Sequence, residues 1–178
     1  IIVPKKFLNL IIAGLTGGDI KLLIGENHLT TIINEDQYFT RIIDEKFPDF
    51  DGVIPKDNDK DLIVVKKNLL SAVKRVSIFS NKSTHQIALS LNNEEILVST
   101  EDPEQSTKAK ENIKGDYKGE EIVVGYNASY LKDVLSHIED EEINIKLKSP
   151  ISAALFLPSK NKENTNLTML LMPIRLND

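Results

Sequence analysis

The 178-residue chain has no cysteine, no tryptophan, two methionines, three histidines and only 6% aromatic residues. Without cysteine there is no disulfide and no thiolate metal site, so stability must come from an apolar core, and the composition suits a reducing compartment. No apolar run approaches the roughly 18 residues of a membrane-spanning helix. The opening residues Ile1, Ile2, Val3 and Pro4 lack the basic and apolar regions of a secretion signal, which makes the cytoplasm the expected compartment. Basic residues are in short supply as well: 22 Lys and Arg against 27 Asp and Glu give a net charge of -5. That balance excludes a protein that grips nucleic acid with its whole surface, while leaving room for a local basic face.

The usual marks of catalysis are missing too. His28, His85 and His137 lie far apart without metal-ligand spacing, and each suits a strand end or a helix surface. Gly14, Gly17 and Gly18 follow a helical pattern rather than precede one, so they read as a helix stop and not as a phosphate cradle. The acids Glu139, Asp140, Glu141 and Glu142 are consecutive and would point in several directions into water. No enzyme activity, metal or cofactor is expected.

What is present is a repeat. Three stretches share the order strand, helix, three strands, and repetition of this kind reveals architecture. The first has a short strand at residues 1–3, Pro4 where a helix start tolerates proline, and a helix over 5–15 with Phe7, Leu8, Leu10, Ile11 and Ile12 on one broad side. Strands follow at 20–24, 29–33 and 38–43. The second runs from a strand at 62–65 through a helix at 66–79 to strands at 86–91, 95–100 and a weaker one at 108–117. The third begins at 121–124 and passes into a helix capped by Asn127 and ending near Ile138. Its strands are expected at 143–147, where Ile143, Ile145 and Leu147 alternate with polar residues, then at 151–157 and 167–176.

Residues 46–60, with Pro48, Gly52 and Pro55 among acidic and amide residues, read as a linker, whereas only Lys118, Gly119 and Glu120 join the second repeat to the third. The later two repeats therefore pair into one domain, 61–178, and the first, 1–60 with its linker, is half of another. The chain opens in β-branched residues without a methionine, as a piece cut within a strand would. Such a half domain is expected to leave apolar surface exposed that draws copies together.

Several short motifs, in this order and spacing, carry a family resemblance across essentially the whole chain. They are Ile2 to Lys6 at the start, Phe47, Pro48, Asp49 and Phe50 followed by Val53, Ile54, Pro55 and Lys56, then Ser80 and Asn81. Gly125, Tyr126, Asn127, Ala128, Ser129, Tyr130 and Leu131 follow, and Met172, Pro173, Ile174, Arg175 and Leu176 close the set. Together they resemble the C-terminal part of the bacterial DNA polymerase III beta subunit, the sliding-clamp family. The resemblance implies an α+β fold of strand-helix-three-strand units, with helices on one face of antiparallel sheets. It also implies a head-to-tail homodimeric ring around double-stranded DNA that reads no sequence and catalyses nothing. The family's partners are polymerases and clamp-loader subunits, bound through short linear peptides. A piece of this length is not expected to close a ring.

Carried over by motif, the peptide groove comprises Pro48, Gly52, Val53, Asn127, Tyr130 and the run Leu170, Leu171, Met172, Pro173, Ile174, Arg175 and Leu176, with Ala153 placed by strand register. Proline, aliphatics and methionine make an adaptable apolar cleft, to which Tyr130 and Arg175 add polar edges. Leu170, Leu171 and Met172 would equally suit a buried terminal strand, and Gly52 stands where relatives often have a basic side chain. Lys66, Lys67, Lys74 and Arg75 on the second helix and Lys5 and Lys6 on the first are expected to face DNA phosphates, although a solvated amphipathic face has the same pattern. Ile78 and Phe79 correspond to the family's subunit interface or else to a last core turn. Glu104 represents the acids that flank that interface, but Ser106, Thr107, Lys108, Ala109 and Lys110 depart from the acidic run. A peptide-binding scaffold with no DNA role is the competing expectation.

Overall fold

The computed structural model describes residues 1–93, 95–160 and 165–176. The chain divides into two units, Ile1–Phe50 and Asp51–Asp178. The division falls earlier than the break after Lys60 drawn from the sequence, because the end of the linker is tied to the second unit. Asn58 Nδ2 donates to the carbonyls of Lys146 (2.9 Å) and Ala153 (3.1 Å), and Asp57 pairs with Lys148.

In the first unit, helix α1 (Lys5–Gly14) packs Phe7 and Ile11 against Leu29 and Ile33. The sheet is antiparallel, in the order β1 (Ile20–Ile24), β2 (His28–Ile33), β3 (Asp36–Arg41). The strand expected at 1–3 is reduced to a single bridge between Ile2 and Ile43. Four buried residues make a small core. Leu8, Leu10 and Ile12 on the helix are exposed, as are Phe39 and all five residues of β1.

The second unit contains two copies of the repeat, interlocked. The first copy comprises β4 (Lys60–Val65), α2 (Lys66–Val76), β5 (Gln86–Leu91), β6 (Glu95–Asp102) and β7 (Thr107–Lys114); β8 (Asp116–Lys118) follows it. The second comprises β9 (Ile122–Asn127), α3 (Ala128–His137), β10 (Glu142–Leu147), β11 (Ala154–Pro158) and β12 (Met169–Leu171). The sheet orders are β12-β11-β10-β4-β8 and β7-β6-β5-β9. Each copy therefore lends its first strand to the other's sheet: β4 lies along β10, with Leu62 opposite Ile145, and β9 lies along β5, with Val124 opposite Leu89. Each sheet of this unit is thus completed by a strand of the other copy. Among the described residues, no strand pairs with β1 on the side that corresponds to the β9 side of β5.

Period and burial agree in these elements. On α2, Leu69, Ala72, Val73 and Val76 are buried at spacings of three and four, and on α3 Ala128, Leu131 and Leu135 do the same. The two helices pack on each other, and their buried faces join both sheets in one core. Asn127 caps α3 through Oδ1, which accepts from the backbone N–H groups of Ser129 (2.9 Å) and Tyr130 (3.3 Å).

Two further strand expectations are corrected. The strand placed at 108–117 is β7 and β8, which belong to different sheets. Gly115 makes the crossing possible, since a Cβ there would lie 2.5 Å from Ile96 Cδ1 and 3.1 Å from Leu62 Cδ1, atoms of the two sheets. The strand placed at 167–176 is only β12 and an isolated bridge at Ile174. Pro173, between them, has no N–H to give to a ladder.

Candidate peptide groove and helix face

Part of the predicted groove set, Ala153, Asn127, Tyr130 and the stretch from Leu170 to Ile174, lies on segments joined by a run of backbone contacts in the second unit. Ala154 pairs with Leu171 and Leu155 with Leu170, so β12 is an edge strand that ends beside the start of β11 and Ala153. Leu171 turns into the core at 8% exposure and is withdrawn from the groove, while Met172 is 59% exposed. Beyond Pro173, the Ile174 N–H donates to Gly125 O (2.9 Å), which lays the terminal segment beside β9. Two residues further along β9 stands Asn127. Its Nδ2 donates to Thr84 O (3.0 Å), and Tyr130, 65% exposed, follows on the first turn of α3. Met172, Ile174 and Tyr130 thus lie on neighbouring segments because a short chain end is bonded to the strand that feeds the helix.

Gly125 allows this approach. A Cβ on it would lie 2.6 Å from Ile174 O and 2.7 Å from Leu176 Cδ2, against a backbone atom that cannot swing aside. The replacement Gly125→Ala is expected to lift the terminal segment off β9 and cut affinity for a groove peptide about tenfold. Peptide titration beside circular dichroism checks this, and unchanged affinity would show that the contact is dispensable.

Gly52 and Val53 lie in a 3-10 turn, Asp51–Val53, where Val53 is 63% exposed. Asn58 holds the following stretch of linker to Ala153 O. Pro48 belongs to the first unit, beside Phe47 and Phe50, whose rings meet edge to face at 6.2 Å. A cavity of about 1030 Å³ on the sheet β7-β6-β5-β9 is lined by Thr84, Glu101, Glu104, Lys108 and Lys110 among others. Leu176 is the one predicted groove residue that lines it.

The basic face is smaller than the sequence suggests. Lys66 Nζ donates to Ile138 O (2.5 Å) and caps the end of α3. Arg75 makes a two-pronged pair with Glu111 of β7, at 2.9 Å from Nε and 2.6 Å from Nη2. The guanidinium holds the Glu111 carboxyl below its ordinary pKa. Lys66 is thus engaged within the domain, whereas Arg75, though paired with Glu111, stays largely exposed on α2 together with Lys67 and Lys74. Lys5 and Lys6 are exposed on α1.

Ile78 and Phe79 are not a core turn: they lie in a 3-10 turn after α2, 66% and 45% exposed. Thr107 Oγ1 donates to Phe79 O (3.0 Å), which fastens that turn to the open edge strand β7. Glu104 is exposed in the turn between β6 and β7, its N–H donating to the buried carboxylate of Asp102 (3.1 Å). Lys108 pairs with Glu101 rather than with an acid of its own strand.

Sequence reasoning assigned no individual role to Asp57, Asn58 or Glu111, and Gly125 entered only as part of a family motif. Of these only Gly125, a glycine inside a strand, carried a recognisable signal of close backbone approach.

The family model for the DNA polymerase III beta subunit, C-terminal domain, matches residues 51–175. The beta sliding clamp of Pseudomonas putida is 32% identical over 178 residues, covering 99% of this chain and 47% of that protein, and the Escherichia coli clamp is 28% identical over a similar span. Among solved structures, the Pseudomonas aeruginosa sliding clamp bound to griselimycin superposes with a TM-score of 0.88 at 30% identity, covering 98% of this chain and 47% of that one. The chain thus spans about half the length of the relatives it matches, and the architecture is the clamp fold. With its interlocked repeats and the match over 51–175, the chain belongs to the DNA polymerase III beta subunit family.

Proposed function

We propose that this chain is part of a replication processivity factor, a ring-shaped clamp that encircles duplex DNA and tethers polymerase and clamp-loader proteins through short apolar peptides. The subunit itself carries out no catalysis. Residues 61–178 are one complete clamp domain, and 1–60 are the second half of the preceding domain with its linker. The bared edge of β1 and the apolar flank of α1 are the faces which the other half of that domain would cover.

The observation that carries this reading is the terminal segment pinned to β9, which leaves Met172 and Tyr130 exposed on adjoining segments at the start of α3. An exposed methionine and tyrosine, with Pro173 beside the methionine, give a peptide an apolar seat with a polar rim. Lys67 and Lys74, with Lys5 and Lys6, supply sequence-independent attraction for phosphates. Ile78, Phe79 and Glu104, along the open edge of β7, are the proposed seam with a second subunit, joined head to tail.

Topological enclosure needs no strong DNA affinity, which agrees with the net charge of -5. The test is retention of the complete polypeptide, loaded by its clamp loader, on circular and on linear DNA in moderate salt. Retention on circles with rapid loss from linear ends is expected. Equal loss from both would overturn the ring and favour a scaffold without a DNA role.

A further inference from the structure

The exposed wall of the groove contributed by the linker poses a physical problem. Val53 is offered to solvent at 63% exposure in a short 3-10 turn, so burial of its own side chain does not set its position. A side chain presented to a ligand must be positioned from elsewhere.

We infer that Asp57 and Asn58 are positioning residues for peptide binding, a clasp that holds the linker wall at a set distance from the C-terminal wall. The inference rests on the proposed groove. Asn58 spends both of its amide protons on one hairpin connection: Nδ2 donates to Lys146 O (2.9 Å) near the end of β10 and to Ala153 O (3.1 Å) just before β11. It therefore spans the mouth of that connection. Ala153 adjoins Ala154, which pairs with Leu171, the residue before Met172. One amide thus links the segment that follows Val53 to the strand pair that ends at Met172. Asp57 adds an ion pair with Lys148 inside the connection, and each partner stabilises the charge of the other, lowering the Asp57 pKa and raising that of Lys148.

Between Val53 and Asn58 runs a short stretch with Ile54 and Pro55, both half-buried. Proline fixes one backbone dihedral there and removes much of the slack. The anchor at Asn58 is therefore felt at Val53. Without it, the linker wall would have to be ordered by the peptide on each binding event, which weakens affinity without removing a peptide contact.

The experiment is a double-mutant cycle on the complete polypeptide, read by titration with a fluorescent Gln-Leu-Ser-Leu-Phe peptide. Asn58→Ala alone is expected to weaken binding about tenfold. Val53→Ala alone should weaken it as well, and Val53→Ala placed on Asn58→Ala should cost little more, because a wall no longer positioned has little left to lose. A purely structural Asn58 would instead give losses that multiply. Wild-type affinity for Asn58→Ala, or multiplying losses, overturns the inference. No effect of Val53→Ala alone would overturn the linker wall of the groove itself, a separate result.

Should Asn58→Ala fail to fold, the swap at the neighbouring pair decides. Asp57→Lys is expected to weaken binding and Lys148→Asp added to it to restore it, whereas no rescue by the swap counts against the clasp.

Discussion

Alanine at Met172 or at Tyr130 is expected to weaken binding of a Gln-Leu-Ser-Leu-Phe peptide by at least about thirtyfold, the loss typical of a residue at the centre of a contact. Both side chains are largely exposed, so neither replacement opens a cavity, and the domain should unfold where the parent does. A short peptide burying on the order of 400 Å² of apolar surface gains about 10 kcal/mol gross. Association costs at least about 4 kcal/mol. The remaining 6 kcal/mol or so corresponds to a dissociation constant in the tens of micromolar, weak enough for one peptide to be exchanged for another. Fluorescence anisotropy on the complete polypeptide, with thermal unfolding alongside, measures both quantities. Binding that survives both replacements would place the peptide somewhere other than the seat between β12 and α3.

The second large effect is on stability. Phe156 is fully buried in β11, opposite Ile145 on one side and Met169 on the other, and its ring meets Tyr126 edge-on at 6.3 Å. Tyr126 comes from β9 in the other sheet, so this pair joins the two layers of the interlocked domain. Phe156→Ala is expected to cost about 3–5 kcal/mol, from lost burial and from the cavity left in a close-packed interior. Because each repeat lends a strand to the other's sheet, the loss should appear as one cooperative shift of the whole second unit. Urea unfolding followed by circular dichroism checks it: a midpoint lowered without a second transition is expected. A cost below about 1 kcal/mol would mean that the site collapses around the smaller side chain.

Local pattern carried much of this molecule. The buried stripe Leu69, Ala72, Val73 and Val76 on α2, the alternation of Ile143, Ile145 and Leu147 on β10 and the Asn127 cap are each decided within a few residues, by periods of 3.6 and 2 and by one side chain reaching its own backbone. The order of elements, and hence the repeat, followed from them. The family's short motifs added the candidate groove, which no periodicity would have indicated.

Only the tertiary structure decided how the repeats exchange β4 and β9, because strand pairing depends on partners far along the chain that leave no mark in local spacing. It likewise gave Lys66 and Arg75 partners within the domain: Ile138 O and Glu111 lie in other elements, and an amphipathic pattern shows which way a lysine points but not what it meets. Leu171 and Met172 are adjacent and chemically alike, yet one is core and the other is exposed, since successive residues of an extended chain face opposite ways and only the neighbouring strand says which side is inside. The sequence by itself determined the elements and the family; which side chains remain available to a partner was settled by the packing around them, a property of the whole fold.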